Sequence, residues 1–184
     1  MSDWYEVVQG SGFEQGDILE SVSLLRPVVG AEEDDESFIA ADLITTSAII
    51  LTQTCDIVQD KVDELLLAQV VSWDSYVAAE VARKNEAVNS RKFRDKLVEG
   101  TIPNLCLLHV RETSPILNWS IVNFRRLFTT PIVAALAPTA LLEPRLRLIS
   151  PYKESVAQAF ARYIMRVGLP LPADEFRSYT GRTT

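Results

Sequence analysis

Apolar residues in the first half of the chain fall in short runs bounded by polar residues, which is the pattern of β-strands. The run 48–51 is unbroken, which is typical of a strand buried on both faces. The β-branched and leucine content predicts four strands: 17–29, 38–43, 46–54 and 63–73. The second and third of these strands are expected to be separated or bent near Ile44.

The hydrophobic period changes after residue 73. Asp74 is placed to cap a helix that has valine and alanine in its first turns. The pattern weakens at 89–90, resumes over 91–98 and stops at Gly100. We therefore expect a helical insertion of about 74–100 between two strands.

The second half of the chain returns to strand patterns and ends in a helix. Ser150 as the cap and Pro151 at the first helical position predict a helix over 150–168. Its single apolar stripe must pack on the sheet or on a partner. The remaining predicted strands are 104–110, 119–128 and 145–149. The alanine-rich segment 132–142 is predicted to be a short helix or a docking segment.

These elements predict an α+β fold in one domain, 1–184. The core, 16–130, is expected to be a strongly bent antiparallel sheet or a small SH3-like barrel, interrupted by the helical insertion. The helix at 150–168 packs against it, and 174–184 forms a polar tail.

Composition and charge narrow the class of protein. The net charge of -7 and the pI near 4.8 argue against a protein that coats nucleic acid or an anionic membrane with its whole surface. The two cysteines form no CxxC pair, which favours a reduced, cytoplasmic chain. The first residues lack the pattern of a signal peptide, and no apolar run reaches the length of a membrane span. We expect a cytoplasmic protein that does not associate with membranes.

The charges are distributed unevenly along the chain. Residues 32–36 are all acidic and predict a solvated loop. The segment 83–96 is basic, and its charges could bind phosphate or an acidic protein partner, or form only a solvated helix face. These partner-binding candidates are Arg83, Lys84, Arg91, Lys92, Arg94 and Lys96.

A candidate pocket lies where the 46–54 strand turns polar, at Gln53, Thr54, Cys55 and Asp56. A Cys55 thiolate could use His109, the single histidine, as its base, with Asp56 orienting the pair. Alternatively, Cys55 is a small core residue and Asp56 binds the amides of a turn.

Arg125 and Arg126 are candidates for the positive charge of this pocket. Neighbouring residues of a strand point to opposite faces, so one arginine should face inward. A buried arginine needs a carboxylate or a ligand anion, and the available carboxylates are Asp17, Asp42 and Asp56. Phosphate-binding glycine loops and His/Cys zinc patterns are missing from the sequence, so no cofactor and no metal is expected.

Three segments resemble the PemK/MazF family of toxin endoribonucleases: 16–19 (GDIL), 48–52 (AIILT) and 119–127 (WSIVNFRRL). The resemblance implies a small SH3-like barrel with a terminal helix and the cleavage of RNA. The family's catalytic Arg-Pro precedes the central strand, where this chain has Thr46-Ser47. Its catalytic threonine follows the next strand, where this chain has 69–71 (QVV). The catalytic pair is therefore not recognisable.

Two functions follow from the resemblance and the charge pattern. The first is a non-catalytic interaction or regulatory module of a prokaryotic defence or toxin–antitoxin-like system, which docks on a protein partner. The second is an RNA-binding endoribonuclease toxin with a divergent active site, which holds RNA through Arg91, Lys92, Arg94, Arg125 and Arg126. The acidic net charge and the missing catalytic pair favour the first function.

Overall fold

The computed structural model of the protein describes residues 3–27, 41–135 and 144–165. The strands are β1 Tyr5–Val8, β2 Asp17–Pro27, β3 Ala41–Ile50, β4 Glu64–Ser72, β5 Leu105–Leu108, β6 Ser120–Pro131 and β7 Arg145–Leu148. The α-helices are α1 Thr54–Val58, α2 Trp73–Ala82, α3 Arg91–Val98, α4 Ile132–Ala135 and α5 Tyr152–Ile164, and a 3₁₀ helix spans Glu86–Asn89.

The seven strands form one antiparallel sheet in the order β1-β7-β2-β3-β4-β6-β5. The α+β class is therefore confirmed. The predicted break near Ile44 is wrong, because β3 pairs with β2 in unbroken register through that residue. The irregularity lies in β2 instead, where the register shifts between Leu19 and Val22 and Ser21 adopts a φ of 59°. One extra residue in β2 therefore forms a β-bulge.

Both faces of the sheet are covered, which explains the apolar run 48–51. Ile49 and Leu51 belong to the core beneath α5, whereas Ala48 and Ile50 belong to a second core on the other face, and each is at most 5% exposed. The prediction of a strand buried on both faces is confirmed. On that second face, α1 and α4 cover one end of the sheet, and α2 and α3 cover the other.

The sheet bends far enough for its two edge strands to share one core. Tyr5 of β1 and Leu108 of β5 lie in the same cluster, and the Tyr5 hydroxyl donates to the carbonyl oxygen of His109 at 2.7 Å. No ladder of hydrogen bonds joins β1 to β5 in the part of the chain that is described, so the sheet is not closed into a barrel. The predicted SH3-like barrel is not confirmed.

The helical insertion has the predicted interruption but a different cap. The Ser72 hydroxyl, not the Asp74 carboxylate, accepts from the backbone N–H of Ser75 at 3.2 Å and caps α2. Ser90 caps α3, which begins and ends at the predicted residues. Gly100 follows α3 with a φ of +64°, the left-handed conformation that glycine adopts readily after a helix.

The C-terminal helix packs on the sheet as predicted. Phe160 and Tyr163 of α5 contact Phe124 of β6, with ring centroids 5.6 and 5.9 Å apart. Pro151 is the N-cap residue rather than the first helical residue, and the Ser150 hydroxyl donates to the Glu154 carboxylate rather than capping the backbone. The predicted end of this helix, the polar tail 174–184, the acidic run 32–36 and most of the segment 132–142 lie outside the described residues.

Candidate functional site

The predicted pocket residues 53–56 lie at the start of helix α1 rather than at the end of a strand. β3 ends at Ile50, and Gln53 is the N-cap residue of α1. The Thr54 hydroxyl accepts a 3.1 Å hydrogen bond from the backbone N–H of Gln15. Thr54 therefore fastens the loop that precedes β2 to the end of β3, which is a structural role.

Cys55 and Asp56 contact each other at the surface of α1. The Sγ atom of Cys55 lies 3.7 Å from Oδ1 of Asp56 and 3.6 Å from Oε1 of Gln53, and the cysteine is exposed. Within the described residues, no backbone amide donates to the Asp56 carboxylate, so the predicted bonds to turn amides are not formed.

The structure does not bring Cys55 and His109 together. The imidazole of His109 lies between the rings of Trp4 and Trp119, with centroid distances of 5.4 and 4.5 Å. Its Nδ1 atom is 2.9 Å from the carbonyl oxygen of Val110. His109 follows the edge strand β5, whereas Cys55 follows the central strand β3. The hypothetical Cys55–His109 dyad is therefore not formed.

Arg125 and Arg126 lie in a bulge of β6, and both are exposed. The register passes from Ala68 opposite Leu127 to Gln69 opposite Asn123, so residues 124–126 have no paired positions on β4. The expectation that one arginine is buried is wrong, because this bulge breaks the alternation of faces. Neither guanidinium forms an ion pair within the described residues. The predicted pairing with Asp17, Asp42 or Asp56 is likewise not formed.

Asp17 is fully buried and pairs instead with two arginines of β7. Its carboxylate oxygens accept from Nε of Arg145 at 2.7 Å and from Nε of Arg147 at 2.5 Å. Both arginines also donate to the carbonyl oxygen of Gly12, and Arg147 pairs with Glu14. The hydrogen bond to Asp17 raises the pKa of Arg147 despite its burial. This buried cluster fixes the loop before β2 on the sheet.

A groove of about 480 Å³ lies on the face of the sheet that also carries α1 to α4. This volume is within the range of small-ligand pockets. Helix α2 forms one side, and the hairpin of β2 and β3 together with the β6 bulge forms the rest. The groove is lined by Leu24, Ile44, Thr46, Gln69, Val71, Ser75, Tyr76, Ala79, Glu80, Arg83, Asn123, Arg126, Leu127 and Phe128.

The base of the groove carries two amides and a hydroxyl. Gln69 of β4 lies directly opposite Asn123 of β6 in the sheet, and Nε2 of Gln69 donates to Oγ1 of Thr46 at 3.2 Å. Oδ1 of Asn123 accepts from the backbone N–H of Arg125 at 3.1 Å, which holds the bulge in place. Sequence reasoning missed these residues, although each is a polar interruption of an apolar strand and could have been noticed for that reason.

The side of the groove formed by α2 is charged. Arg83 donates to Glu80 at 3.0 Å, and Asn85 donates to the other carboxylate oxygen of Glu80 at 2.8 Å. Burial raises the pKa of Tyr76, Glu80 adds to this rise, and Arg125 and Arg83 oppose it. The Tyr76 hydroxyl therefore remains protonated near neutral pH and can donate a hydrogen bond.

The predicted basic surface of the insertion is exposed, but only part of it reaches the groove. Arg83 lines the groove, whereas Arg91 pairs loosely with Asp95 at 4.0 Å and Arg94 donates to the carbonyl oxygen of Asn89 at 2.8 Å. The side chains of Lys84, Lys92 and Lys96 are exposed. Their role in binding a partner stays a prediction.

The groove contains the arginine Arg126 but not the cysteines or the histidine, which lie elsewhere. Across the described ranges, no group of three or more His, Cys, Asp or Glu side chains is placed to hold a metal ion. No helix of those ranges is long and apolar enough to cross a membrane.

The residues that line the groove offer hydrogen-bond donors, apolar surface and positive charge. These groups suit the binding of an anionic group.

A comparison of the sequence with models of protein families finds no match, and a comparison with characterised proteins finds none either.

Proposed function

We propose that this protein is a non-catalytic interaction or regulatory module of a prokaryotic defence or toxin–antitoxin-like system. It acts in the cytoplasm and holds a protein partner in the groove beside α2. The proposal takes the curved sheet to be a divergent SH3-like barrel of the PemK/MazF type. The contact between Tyr5 and His109, which joins the two edges of the sheet, supports that reading.

The observation that carries the proposal is the position of Arg126. Its guanidinium lines a concave and partly apolar surface, yet it forms no ion pair with any described residue. An arginine presents a planar fork of N–H donors that matches a carboxylate or a phosphate. Arg126 is therefore available to an anionic group that a partner supplies.

The groove lacks the groups that would argue for covalent catalysis. Cys55 and His109 lie apart from it, and its hydroxyls come from Thr46, Ser75 and Tyr76 without a histidine beside them. A nucleophilic hydroxyl requires an adjacent base to become reactive. Glu80 is the one carboxylate among the described residues of the groove lining, and Arg83 and Asn85 already hold it. These contacts favour binding over reaction.

One observation favours the alternative, an endoribonuclease toxin with a divergent active site. The groove places Glu80 and Tyr76 near Arg83 and Arg126. Acid–base cleavage of a phosphodiester could use a carboxylate, a hydroxyl and cationic side chains of this kind. The net charge of -7 opposes it, because the chain as a whole repels RNA.

Site-specific photo-crosslinking in the native host tests the proposed function. A photoreactive amino acid replaces Ser75, which lines the groove, or, as the matched control, Glu112, which is exposed outside the groove. We expect one discrete crosslinked protein from position 75, none from position 112, and loss of the product when Arg126→Glu is added. A crosslink to RNA at position 75, together with cleavage of RNA by the purified protein, would support the ribonuclease instead.

A further inference from the structure

Within the described residues, strand β3 has an open edge beside the groove. Its pairing with β2 extends over Ala41–Ile49, but its pairing with β4 covers only Ser47–Ile50. β4 ends at Ser72, and the chain then leaves the sheet as α2. In the portion of the chain that is described, residues 41–46 therefore have a ladder partner on one side only.

This open edge borders the groove directly. Ile44 and Thr46 lie on the unpaired stretch of β3 and line the groove, and Ser75 and Ala79 line it from α2. Unpaired N–H and C=O groups along a strand are a template for another extended chain. A segment added here would continue the line of β4 and direct alternate side chains toward α2.

The charges beside the edge are complementary to an acidic segment. Arg83 and Arg126 line the groove and Arg125 lies close enough to act on Tyr76. Among the described residues, Glu80 is the one acidic residue of the groove lining, and Asp42 is the one acidic residue on the stretch 41–46 of β3. Apolar side chains line the same groove, namely Leu24, Ile44, Val71, Leu127 and Phe128. An extended peptide fits both sets when the alternate side chains that face the groove include both acidic and apolar residues.

We propose that the partner contributes an extended acidic peptide, which adds as a strand to the open edge of β3 and places a carboxylate on Arg126. This inference rests on the proposed function, since it names the partner chemistry of the same groove. The backbone edge supplies hydrogen bonds that do not depend on sequence, and Arg126 supplies the selection for acidic side chains. A nucleic acid strand would leave the backbone edge unused.

Fluorescence anisotropy with a defined peptide tests the inference on the full chain. The probe is a labelled peptide of about eight residues, a length that spans the open edge, in which Asp and Leu take turns at every second position and Ser fills the positions between them. We expect Arg126→Ala to weaken its binding by about tenfold or more. Arg162→Ala is the matched control, because Arg162 is exposed on α5 and packs outside the groove, and we expect binding within about twofold of the unchanged protein.

Two altered peptides separate the charge from the strand pairing. Replacing Asp by Asn should weaken binding by about tenfold, because the arginine then meets a neutral amide. N-methylation of one alternate set of peptide amides should abolish binding, while N-methylation of the other set should leave it nearly unchanged, because only one set faces β3. Equal binding of all these peptides would overturn the inference.

The peptide inference can fail while the proposed interaction module stands, and the crosslinking and peptide-binding results together separate these two cases. A protein crosslinked at position 75, combined with no binding of the acidic peptide, would overturn the peptide inference and leave the interaction module intact. If a single-stranded RNA oligonucleotide displaces the peptide and binds more tightly, both proposals fail. Thermal denaturation of Arg126→Ala should give an unchanged midpoint, since the side chain is exposed, and this excludes misfolding as the cause of lost binding.

Discussion

The Tyr5 hydroxyl donates a 2.7 Å hydrogen bond to the carbonyl oxygen of His109. Tyr5 belongs to β1 and His109 follows β5, which are the first and last strands in the order of the sheet. This side-chain contact joins two edges that no ladder connects in the described residues. Burial raises the pKa of Tyr5 and the nearby Cys106 adds to the rise, so the hydroxyl keeps its proton.

Tyr5→Phe tests the energetic importance of that contact. The substitution keeps the ring in the core but leaves the carbonyl oxygen of His109 without its donor, so we expect a loss of about 1 kcal/mol in the free energy of unfolding. Urea denaturation measures it. Tyr163→Phe is the control, because that ring is partly buried and packs against the same core. If Tyr163→Phe lowers the free energy of unfolding as much as Tyr5→Phe does, the Tyr5 hydroxyl has no special role.

Asp17→Asn tests the buried cluster with Arg145 and Arg147. The amide removes the charge that both guanidinium groups face, and breaking a buried ion pair on one side costs about 3–5 kcal/mol. Chemical denaturation should show this loss. Asp95→Asn removes an exposed partner of Arg91 and should cost less than about 1 kcal/mol. Similar losses for the two variants would show that the buried cluster contributes little.

The two cysteines should differ in reactivity. Burial raises the pKa of the Cys106 thiol to about 11, an effect that Arg162 partly opposes, whereas Cys55 is exposed. We expect iodoacetamide to modify Cys55 at neutral pH and to modify Cys106 only after unfolding, as read by mass spectrometry of peptides. Equal modification of the two thiols in the folded protein would contradict the burial of Cys106.

The same raised pKa predicts a dependence of stability on pH. The unfolded chain releases the Cys106 proton near the usual thiol value of 9.0, and the folded chain holds it to about 11. Stability should therefore fall as the pH rises through that interval, because the unfolded state then binds fewer protons than the folded state. Cys106→Ala should show a smaller fall between the same pH values, and an identical fall would contradict the assignment.

Glu80→Gln should strengthen the binding of an acidic peptide. The substitution removes the carboxylate that occupies Arg83 and the like charge that a peptide carboxylate would meet in the groove. We expect an increase in affinity of about threefold to tenfold, which falls as salt is added. Asp56→Ala is the control, because Asp56 contacts Cys55 on α1, outside the groove, and should leave the affinity unchanged.

The sequence predicted those helices and strands that are specified by residues close together along the chain. Helix α3 follows from the helical pattern over 91–98 and the stop at Gly100, and the burial of both faces of β3 follows from the unbroken run 48–51. The edge contact and the buried cluster could not be predicted in this way. Asp17 and Arg145 are 128 positions apart, and only the pairing of β2 with β7 brings them together.

The candidate site likewise combines residues that the sequence identified with contacts that only the fold brings together. The sequence identified Arg126 and Arg83 as candidates, but it associated Arg126 with residues 53–56. Alternation of side chains along a strand predicts one buried arginine, and a bulge of three residues in β6 removes that alternation. Gln69 and Asn123 are visible as polar interruptions in apolar strands, yet only the register of β4 with β6 makes them neighbours.

A charge swap tests whether Arg126 holds a carboxylate of the partner in the groove. Once the crosslinked partner is identified, its affinity is measured by calorimetry for the unchanged protein, for Arg126→Glu, and for Arg126→Glu combined with a partner whose contacting carboxylate is replaced by lysine. We expect Arg126→Glu to lower the affinity by about tenfold or more, the swapped pair to recover it, and Arg162→Glu to leave it unchanged. Equal affinity of the unchanged protein and of Arg126→Glu for the partner would contradict the claim that the groove holds it.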